Sequence, residues 1–481
     1  MTPAGGSTDP VPVTPPGAPG TFTSENPARP SDVVGTFTSA SAAHVASVVG
    51  AAAEAQRAWA ARPASERATV IGGIAHALAR ELRALAAMVT REEGKPLAAS
   101  ENEVRKAVEQ FHFASQLAYL VEGSTYPTES RGVLAYSLRS PVGVVVAVTP
   151  WNFPVSLPAR KLAPALASGN AVIFKPSPAT AATGDLLVTV CREAGLPPEL
   201  LQVVHGHDPD AMAALLGDRR VDAVTFTGSD TVGATVRALT HPHARLQAEL
   251  GGHNGVLVCA DADLALAARE VAGGAFSLTG QACTASGRAL VERPVYAAFC
   301  DLLAGETRRL TAGPGTSPGV GCGPVATRGQ FDRLRALRSA AVADGRLLAE
   351  GELAGDADPD GYWVVPAAVT DLPADHPVLT GEVFGPILPV LAVESAGEAV
   401  ERLNADRHGL VAAVHTTDLG TAHRFTQSVQ CGIVKVNQRT TGNGIAPPFG
   451  GWKASRLGTL PEGGQQSVDF FTQTKTVYLR H

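Results

Sequence analysis

Cys283 and Glu249 are the residues of this chain best suited to covalent chemistry. Cys283 lies among small and polar neighbours in Gln281-Ala-Cys283-Thr-Ala-Ser286, 34 residues after Glu249 in Gln247-Ala-Glu249-Leu-Gly-Gly252. A thiol is the readiest side-chain nucleophile near neutral pH, because part of it is already thiolate. A carboxylate brought close in space can activate the water that later releases an acyl product. The other reading of a cysteine is a small apolar filler, and that is the expectation for Cys191, Cys259, Cys300, Cys322 and Cys431.

Several loops could hold a ligand beside that pair. In Thr149-Pro-Trp151-Asn152-Phe-Pro154 two prolines fix the backbone, and Asn152 offers an amide donor for an oxyanion. In Phe174-Lys175-Pro-Ser177 a lysine leaves a buried strand and can reach ribose hydroxyls. In Phe226-Thr-Gly228-Ser229-Asp-Thr-Val-Gly233 glycines at a strand-to-helix turn let phosphate approach the backbone. This is neither GxGxxG nor a P-loop. Glu382, in Thr380-Gly-Glu382-Val-Phe384, could accept from a ribose, and the glycine-rich turn over 447–455 could pass close to a ligand. Taken singly, these read equally as turn residues, a snorkelling lysine and a solvated acid.

The elements that must position these residues follow from periodicity. Residues 41–61, 65–86 and 101–121 carry apolar positions at helical spacing, so most of 21–126 is expected to be helical. Residues 132–139 alternate and read as a strand arm. From Gly143 short β-branched runs (143–148, 171–174, 201–204, 221–226, 246–250) alternate with helical stretches. That pattern predicts a buried parallel sheet with helices on both faces and ligands at the strands' carboxyl ends. It restarts at Gly255, and residues 468–479 are provisionally paired with the arm. The expected fold is α/β, with two doubly wound lobes and a small bridging sheet. The division is 21–126 with 143–251 for a dinucleotide-binding domain, 252–450 for a catalytic domain, and 127–142 with 451–481 for an arm and C-terminal strand.

Composition excludes other classes. A chain of 481 residues is too long for one ordinary core. The net charge of −6 comes with no basic stripe, which argues against nucleic acid. No run approaches the ~18 apolar residues of a membrane span. The six cysteines form no CxxC or Cys/His cluster, so no metal is expected and a reducing cytoplasm suits them. The Pro-, Gly-, Thr- and Ser-rich residues 1–20 read as a disordered tail, not a signal peptide.

In this order, from Glu25-Asn-Pro-Ala28 to Thr476-Val-Tyr478, the motifs together resemble the aldehyde dehydrogenase superfamily. The resemblance implies that Cys283 attacks an aldehyde and that Asn152, with the Cys283 amide, holds the oxyanion. Hydride would then pass to a nicotinamide, and Glu249 would activate the hydrolytic water with Lys161 supporting proton movement. It also implies that Trp151, Lys175, Ser177, Gly228, Ser229, Gly233, Glu382 and Phe384 form the NAD or NADP site, and that the protein is a homodimer or homotetramer.

Three positions depart from the family pattern. His253-Asn stands where a lysine is commoner, Arg456 replaces a glycine near the expected substrate entrance, and Pro178 stands where an acid is frequent. An acid there would repel a 2′-phosphate, so its absence favours dual or NADP+ use. The segments around Cys283, 437–442 and 470–472 are similar to the branch that oxidises 2-oxoglutarate semialdehyde (2,5-dioxopentanoate). Arg160 matches a carboxylate-binding position of succinate-semialdehyde dehydrogenases, and Arg439 is a second candidate. The substrate expected is a short semialdehyde acid. The rivals are an uncharged aromatic or aliphatic aldehyde, a coenzyme A-acylating reaction, and a non-catalytic relative that keeps the fold.

Overall fold

The run Val144–Val148 has every side chain buried, as a strand covered by helices on both faces requires. In the computed structural model, which describes residues 20–206 and 208–480, it is the central strand of the first sheet. It pairs in parallel with Ala171–Lys175 on one side and Val221–Thr227 on the other. Leu201–Val203 and Arg245–Glu249 extend the two flanks in parallel. The chain builds one flank, then crosses back to build the other. That reversal opens a crevice between the carboxyl ends of Val144–Val148 and Val221–Thr227. The loops beginning at Thr149 and Gly228 flank it. The expected tail over 1–20 lies, but for Gly20, outside the described residues.

Helices Ala42–Ala60, Ala64–Arg80, Leu82–Glu93 and Leu97–Leu117 share one hydrophobic core with this sheet. The single helix expected over 65–86 is interrupted at Glu81, whose φ and ψ are −88° and 9°. The helical reading of 21–126 also overlooks an antiparallel hairpin, Thr21–Asn26 with Arg29–Thr38. Its β-branched and aromatic residues favour strands, and Phe22 stacks on Phe37 with ring centroids 5.5 Å apart.

Two acids of this helical layer bind the start of helices beside the sheet. Glu92 accepts from the main-chain N–H of Ala182 and Thr183 at 2.9 and 2.7 Å. Glu103 accepts from those of Val155 and Ser156 at 2.8 and 3.1 Å, at the start of helix Ser156–Ala167. Unpaired amides at a helix N-terminus attract a carboxylate. Glu103 thereby fixes the helix that carries Arg160 and Lys161.

The second sheet has seven strands in the order Arg346–Glu350, Ala367–Thr370, Ile387–Val393, Ser286–Glu292, Asn254–Val258, Val411–His415 and Ile433–Val436. All its pairs are parallel except the first. Only residues 250–253 separate Glu249, at the carboxyl end of a first-sheet strand, from Asn254, at the amino end of a second-sheet strand. So short a link makes the two edges face one another. The edge of the second sheet that meets the carboxyl edge of the first is therefore its amino edge.

The small third sheet forms as the sequence predicts. Thr472–Arg480 pairs antiparallel with Val133–Pro141 along its whole length. The preceding residues do not extend it. Gly464–Phe471 is a helix, and Val468, Phe470 and Phe471 join the core of the first lobe. Arg456–Leu457 adds an antiparallel edge strand beside Glu249 and Ala248. Of the stretch 451–481, the described part that enters the third sheet is thus Thr472–Arg480. Among the described residues no helix is long and apolar enough to cross a membrane.

Candidate active site

The backbone approaching Cys283 is strained. Leu278, Thr279 and Gly280 have φ of 55°, 57° and 68°, a left-handed region that costs the two side-chain-bearing residues free energy. A Cβ on Gly280 would lie 2.3 Å from the Gly385 carbonyl oxygen, so no side chain fits there. Surrounding hydrogen bonds hold the turn. Thr279 Oγ1 donates to Gly323 O at 2.9 Å, and Gln281 Oε1 accepts from Ala326 N at 3.0 Å. Asn254 Nδ2 donates to both Cys283 O and Ala285 O at 2.8 Å, while its Oδ1 accepts from Val411 N at 3.0 Å. One amide thus ties the cysteine loop to the amino edge of the second sheet.

Cys283 is half-buried, whereas the other five cysteines are buried fillers. Burial pushes its thiol up to about 12; the charges of Glu382, Glu249 and Glu462 add to the shift and Arg160 opposes it. Burial therefore favours the thiol over the thiolate at neutral pH.

Asn152 reaches this loop from the first sheet. Its Nδ2 donates to Gln281 O at 2.8 Å, and its Oδ1 is buried without a partner. Its main-chain oxygen accepts from Lys95 Nζ at 2.5 Å. Lys95 also contacts Glu103 at 2.7 Å and lies 4.5 Å from the centre of the Phe153 ring. Glu103→Ala should leave Lys95 charged and buried with Glu93 as its remaining acid, and release the start of helix Ser156–Ala167. We expect a loss of about 3–5 kcal/mol in denaturant unfolding. A loss under about 1 kcal/mol would show that this network does not hold the Asn152 loop.

Glu249 is buried at the strand's end. Its Oε2 accepts from Gly451 N at 3.1 Å and its Oε1 has no partner. Burial and the nearby Glu462 carboxylate raise its pKa well above the usual carboxylate range, against Gly451, Lys161 and Arg456. Lys161 Nζ donates to Glu462 Oε1 and, at 3.0 Å, to Thr225 Oγ1. Thr225 Oγ1 in turn donates to Gln247 Oε1 at 3.2 Å. A base, a second acid and an ammonium thus share one buried cluster beneath the cysteine.

Across the crevice, Lys175 is buried and its Nζ donates only to Pro176 O, at 3.2 Å. Burial lowers its pKa to about 8. Glu382 accepts from Gly252 N at 3.0 Å through one oxygen. Trp151 and Phe384 meet edge to face with centroids 5.5 Å apart. Ser229 Oγ caps helix Asp230–Leu239 by accepting from Val232 N at 3.3 Å, and Gly228 N donates to Glu249 O at 3.2 Å. A Cβ on Gly233 would sit 2.6 Å from a Leu250 methyl, so glycine lets this helix start close to the sheet. Ser177 Oγ accepts from Ala179 N at 3.3 Å and faces the same strand end. A buried cation without a carboxylate partner, an acid with a second oxygen left over and an open helix N-terminus fit the polyol and pyrophosphate of a dinucleotide.

The aldehyde dehydrogenase family profile matches residues 14–477. The chain belongs to that family. It is 38% identical over 426 residues to the α-ketoglutarate semialdehyde dehydrogenase of Haloferax volcanii, covering 87% of each chain. It is 34% identical over 424 residues to the 2,5-dioxopentanoate dehydrogenase of Saccharolobus solfataricus, covering 87% of this chain and 88% of that one. A putative methylmalonate-semialdehyde dehydrogenase from Sinorhizobium meliloti, crystallised with NAD, superposes with a TM-score of 0.93 at 31% identity, covering 98% of this chain and 96% of that one. This chain is an NAD(P)+-dependent aldehyde dehydrogenase.

The structure of this dehydrogenase separates the two candidate arginines. Arg160 lies 4.4 Å from the centre of the Phe449 ring, and its charge is felt at the Cys283 sulfur. The Arg439 guanidinium instead grips both oxygens of Glu270, at 3.0 and 2.9 Å. Arg439 is thus already ion-paired, whereas among the described residues Arg160 has no carboxylate partner. His253 is hydrogen-bonded to Asp406 at 2.7 Å, and Arg288 binds the same carboxylate oxygen at 2.8 Å. That histidine belongs to a charge cluster behind Asn254. Arg456 lies on a two-residue edge strand whose main chain pairs with Glu249.

Sequence reasoning missed Asn254 and Glu462. In the sequence Asn254 stands out only as the neighbour of His253. Glu462 sits in Pro461-Glu462-Gly463-Gly464, an unremarked glycine-rich turn, and its main-chain pairing with Phe449 is a contact that sequence does not carry.

Proposed function

We propose that this dehydrogenase oxidises a short aldehyde bearing a distal carboxylate, with 2-oxoglutarate semialdehyde the leading substrate. The observation that carries the reading is the unpaired Arg160 guanidinium within electrostatic reach of Cys283. The names of the two curated relatives support it. A nicotinamide cofactor, when bound, would supply the hydride acceptor. Lys175 and Glu382 would hold the ribose, Ser229 with Gly228 and Gly233 the pyrophosphate, and Trp151 with Phe384 the ring's surroundings. Pro178 puts no acid near Lys175 and Ser177, so NADP+ is accepted as well as NAD+.

The remaining work falls to the chain. Cys283 gives its proton to a water molecule as its sulfur bonds to the aldehyde carbon, giving a thiohemiacetal whose oxygen takes donors from Asn152 Nδ2 and the Cys283 N–H. Loss of hydride leaves a thioester on Cys283. Glu249 takes a proton from water as the water attacks that thioester; the C–S bond breaks and the acid departs. Lys161 and Glu462, hydrogen-bonded to each other beside Glu249, would relay the proton from Glu249 towards solvent and so regenerate the base. The lobes divide near 251–252, and the oligomer, a homodimer or homotetramer, forms through the third sheet, where Leu134, Leu138, Tyr478 and Leu479 stay exposed. The cytoplasm is the proposed location.

The test compares kcat/KM for 2-oxoglutarate semialdehyde, succinate semialdehyde and benzaldehyde with NAD+ and with NADP+. Arg160→Ala should cost the two acids about 10–100-fold and benzaldehyde little, because a charge-assisted bidentate contact is lost. Equal losses on all three would reject the clamp, and a preference for benzaldehyde in the unaltered enzyme would reject the substrate class.

A further inference from the structure

Lys106 is near enough to both Arg160 and Lys435 for their charges to act on it, and neither lysine has a part in the mechanism above. Lys106 lies on helix Leu97–Leu117 and donates its ammonium to the Asn443 carbonyl. Lys435 lies on strand Ile433–Val436 and donates to Gly442 O at 2.5 Å and to Thr441 O at 3.4 Å. Both therefore bind one stretch of main chain, 441–443. Among the described residues none of Lys106, Lys435 and Arg160 has a carboxylate in ion-pair contact. Burial and the Arg160 charge bring the Lys106 ammonium down to about 8, Glu109 opposes the shift and Lys435 adds to it. Gathering like charges against one opposing acid, Glu109, costs free energy, which an anion would relieve. Arg160 connects this group to the chemistry, because its charge is felt at Cys283. Arg160 also lines an adjoining pocket whose walls are mostly apolar, Phe113, Leu117 and Ile445 among them; Gln110 Oε1 is buried there without a hydrogen-bond partner among the described residues.

We propose that Lys106 is a specificity-determining residue: with Lys435 and Arg160 it forms a cationic collar that selects aldehydes ending in a carboxylate. The inference rests on Cys283 as nucleophile and Arg160 as carboxylate clamp. Arg160 takes the bidentate contact, and Lys106 and Lys435 lower the free energy of the bound anion as point charges. The collar also steers anionic substrates inward, so association should weaken with salt.

Lys106→Met keeps the packing of the stem and removes the charge. The expected result is a loss of about 10-fold in kcat/KM for 2-oxoglutarate semialdehyde, mostly in KM, with butyraldehyde changed less than about 2-fold. Lys106→Arg should recover most of the loss, and the salt dependence of kcat/KM should flatten in Lys106→Met. Lys435→Met, tested alongside, should show the same pattern at smaller size and serves if Lys106→Met does not fold. Equal losses on both aldehydes would mean that Lys106 only positions the 441–443 loop, and no loss on the acid would mean that the collar has no role; either overturns the proposal. Calorimetric binding of 2-oxoglutarate needs no turnover. If the unaltered enzyme prefers butyraldehyde yet binds 2-oxoglutarate about 10-fold more tightly than Lys106→Met does, the substrate reading fails and the collar stands; if binding does not depend on Lys106, the collar fails.

Discussion

Cys283→Ser is expected to lower kcat/KM for every aldehyde by at least about 10³-fold, while NADP+ affinity stays within about two-fold. In the proposed mechanism Cys283 is the one group in the cluster that must form and break a bond to carbon. A serine hydroxyl is far less acidic than the thiol, and the site already holds the thiol's proton on through burial and the acids Glu382, Glu249 and Glu462. An alkoxide there would be more costly still. The fold should tolerate the change, because the loop is held through the Cys283 carbonyl by Asn254, not through sulfur. Mass spectrometry after incubation with an aldehyde and oxidised cofactor should find an acyl adduct on Cys283 in the unaltered enzyme and none in the variant. Turnover by Cys283→Ser at more than about a tenth of the normal rate would remove the covalent mechanism.

Much of this site is written locally in the sequence, and the part that is not depends on residues distant in the chain. The run Val144–Val148 and its four parallel neighbours were legible because an element buried on both faces must be continuously apolar. The loops leaving those strands at Asn152, Lys175 and Gly228 could then be placed at one crevice by topology alone. The second lobe followed the same periodicity, but its orientation did not. That its amino edge is the one meeting the first sheet comes from the short link between Glu249 and Asn254, a constraint on two sheets at once. The hairpin before Thr38 was hidden by its alanine-rich helical sequel. Arg439 looked as suitable as Arg160 until its partner Glu270, on another element, was visible. Asn254 and Glu462 act through contacts with Cys283, Ala285 and Lys161, and no local pattern marks such pairings.

Glu249→Gln should separate the two halves of the reaction. Glutamine keeps the shape and can still accept from the Gly451 N–H, so the strand end should hold. It cannot take a proton from water. We expect one equivalent of reduced cofactor per subunit in a rapid first phase, then a steady state slowed about 10²–10³-fold as the thioester waits. The first phase should survive because the variant also removes a negative charge that holds the Cys283 proton on. The pH profile supplies an independent check. Burial and Glu462 raise the Glu249 pKa, so its basic form is gained only as pH rises, and kcat of the unaltered enzyme should climb with pH on that limb. The limb should vanish in Glu249→Gln. In Glu462→Gln it should move to lower pH, since the neighbouring charge that resists ionisation of Glu249 is gone. Loss of the first phase along with the second would make Glu249 the base for thiol attack as well. A steady state within about three-fold of normal would place the hydrolytic base elsewhere, and a Glu462→Gln profile that stays in place would uncouple the two acids.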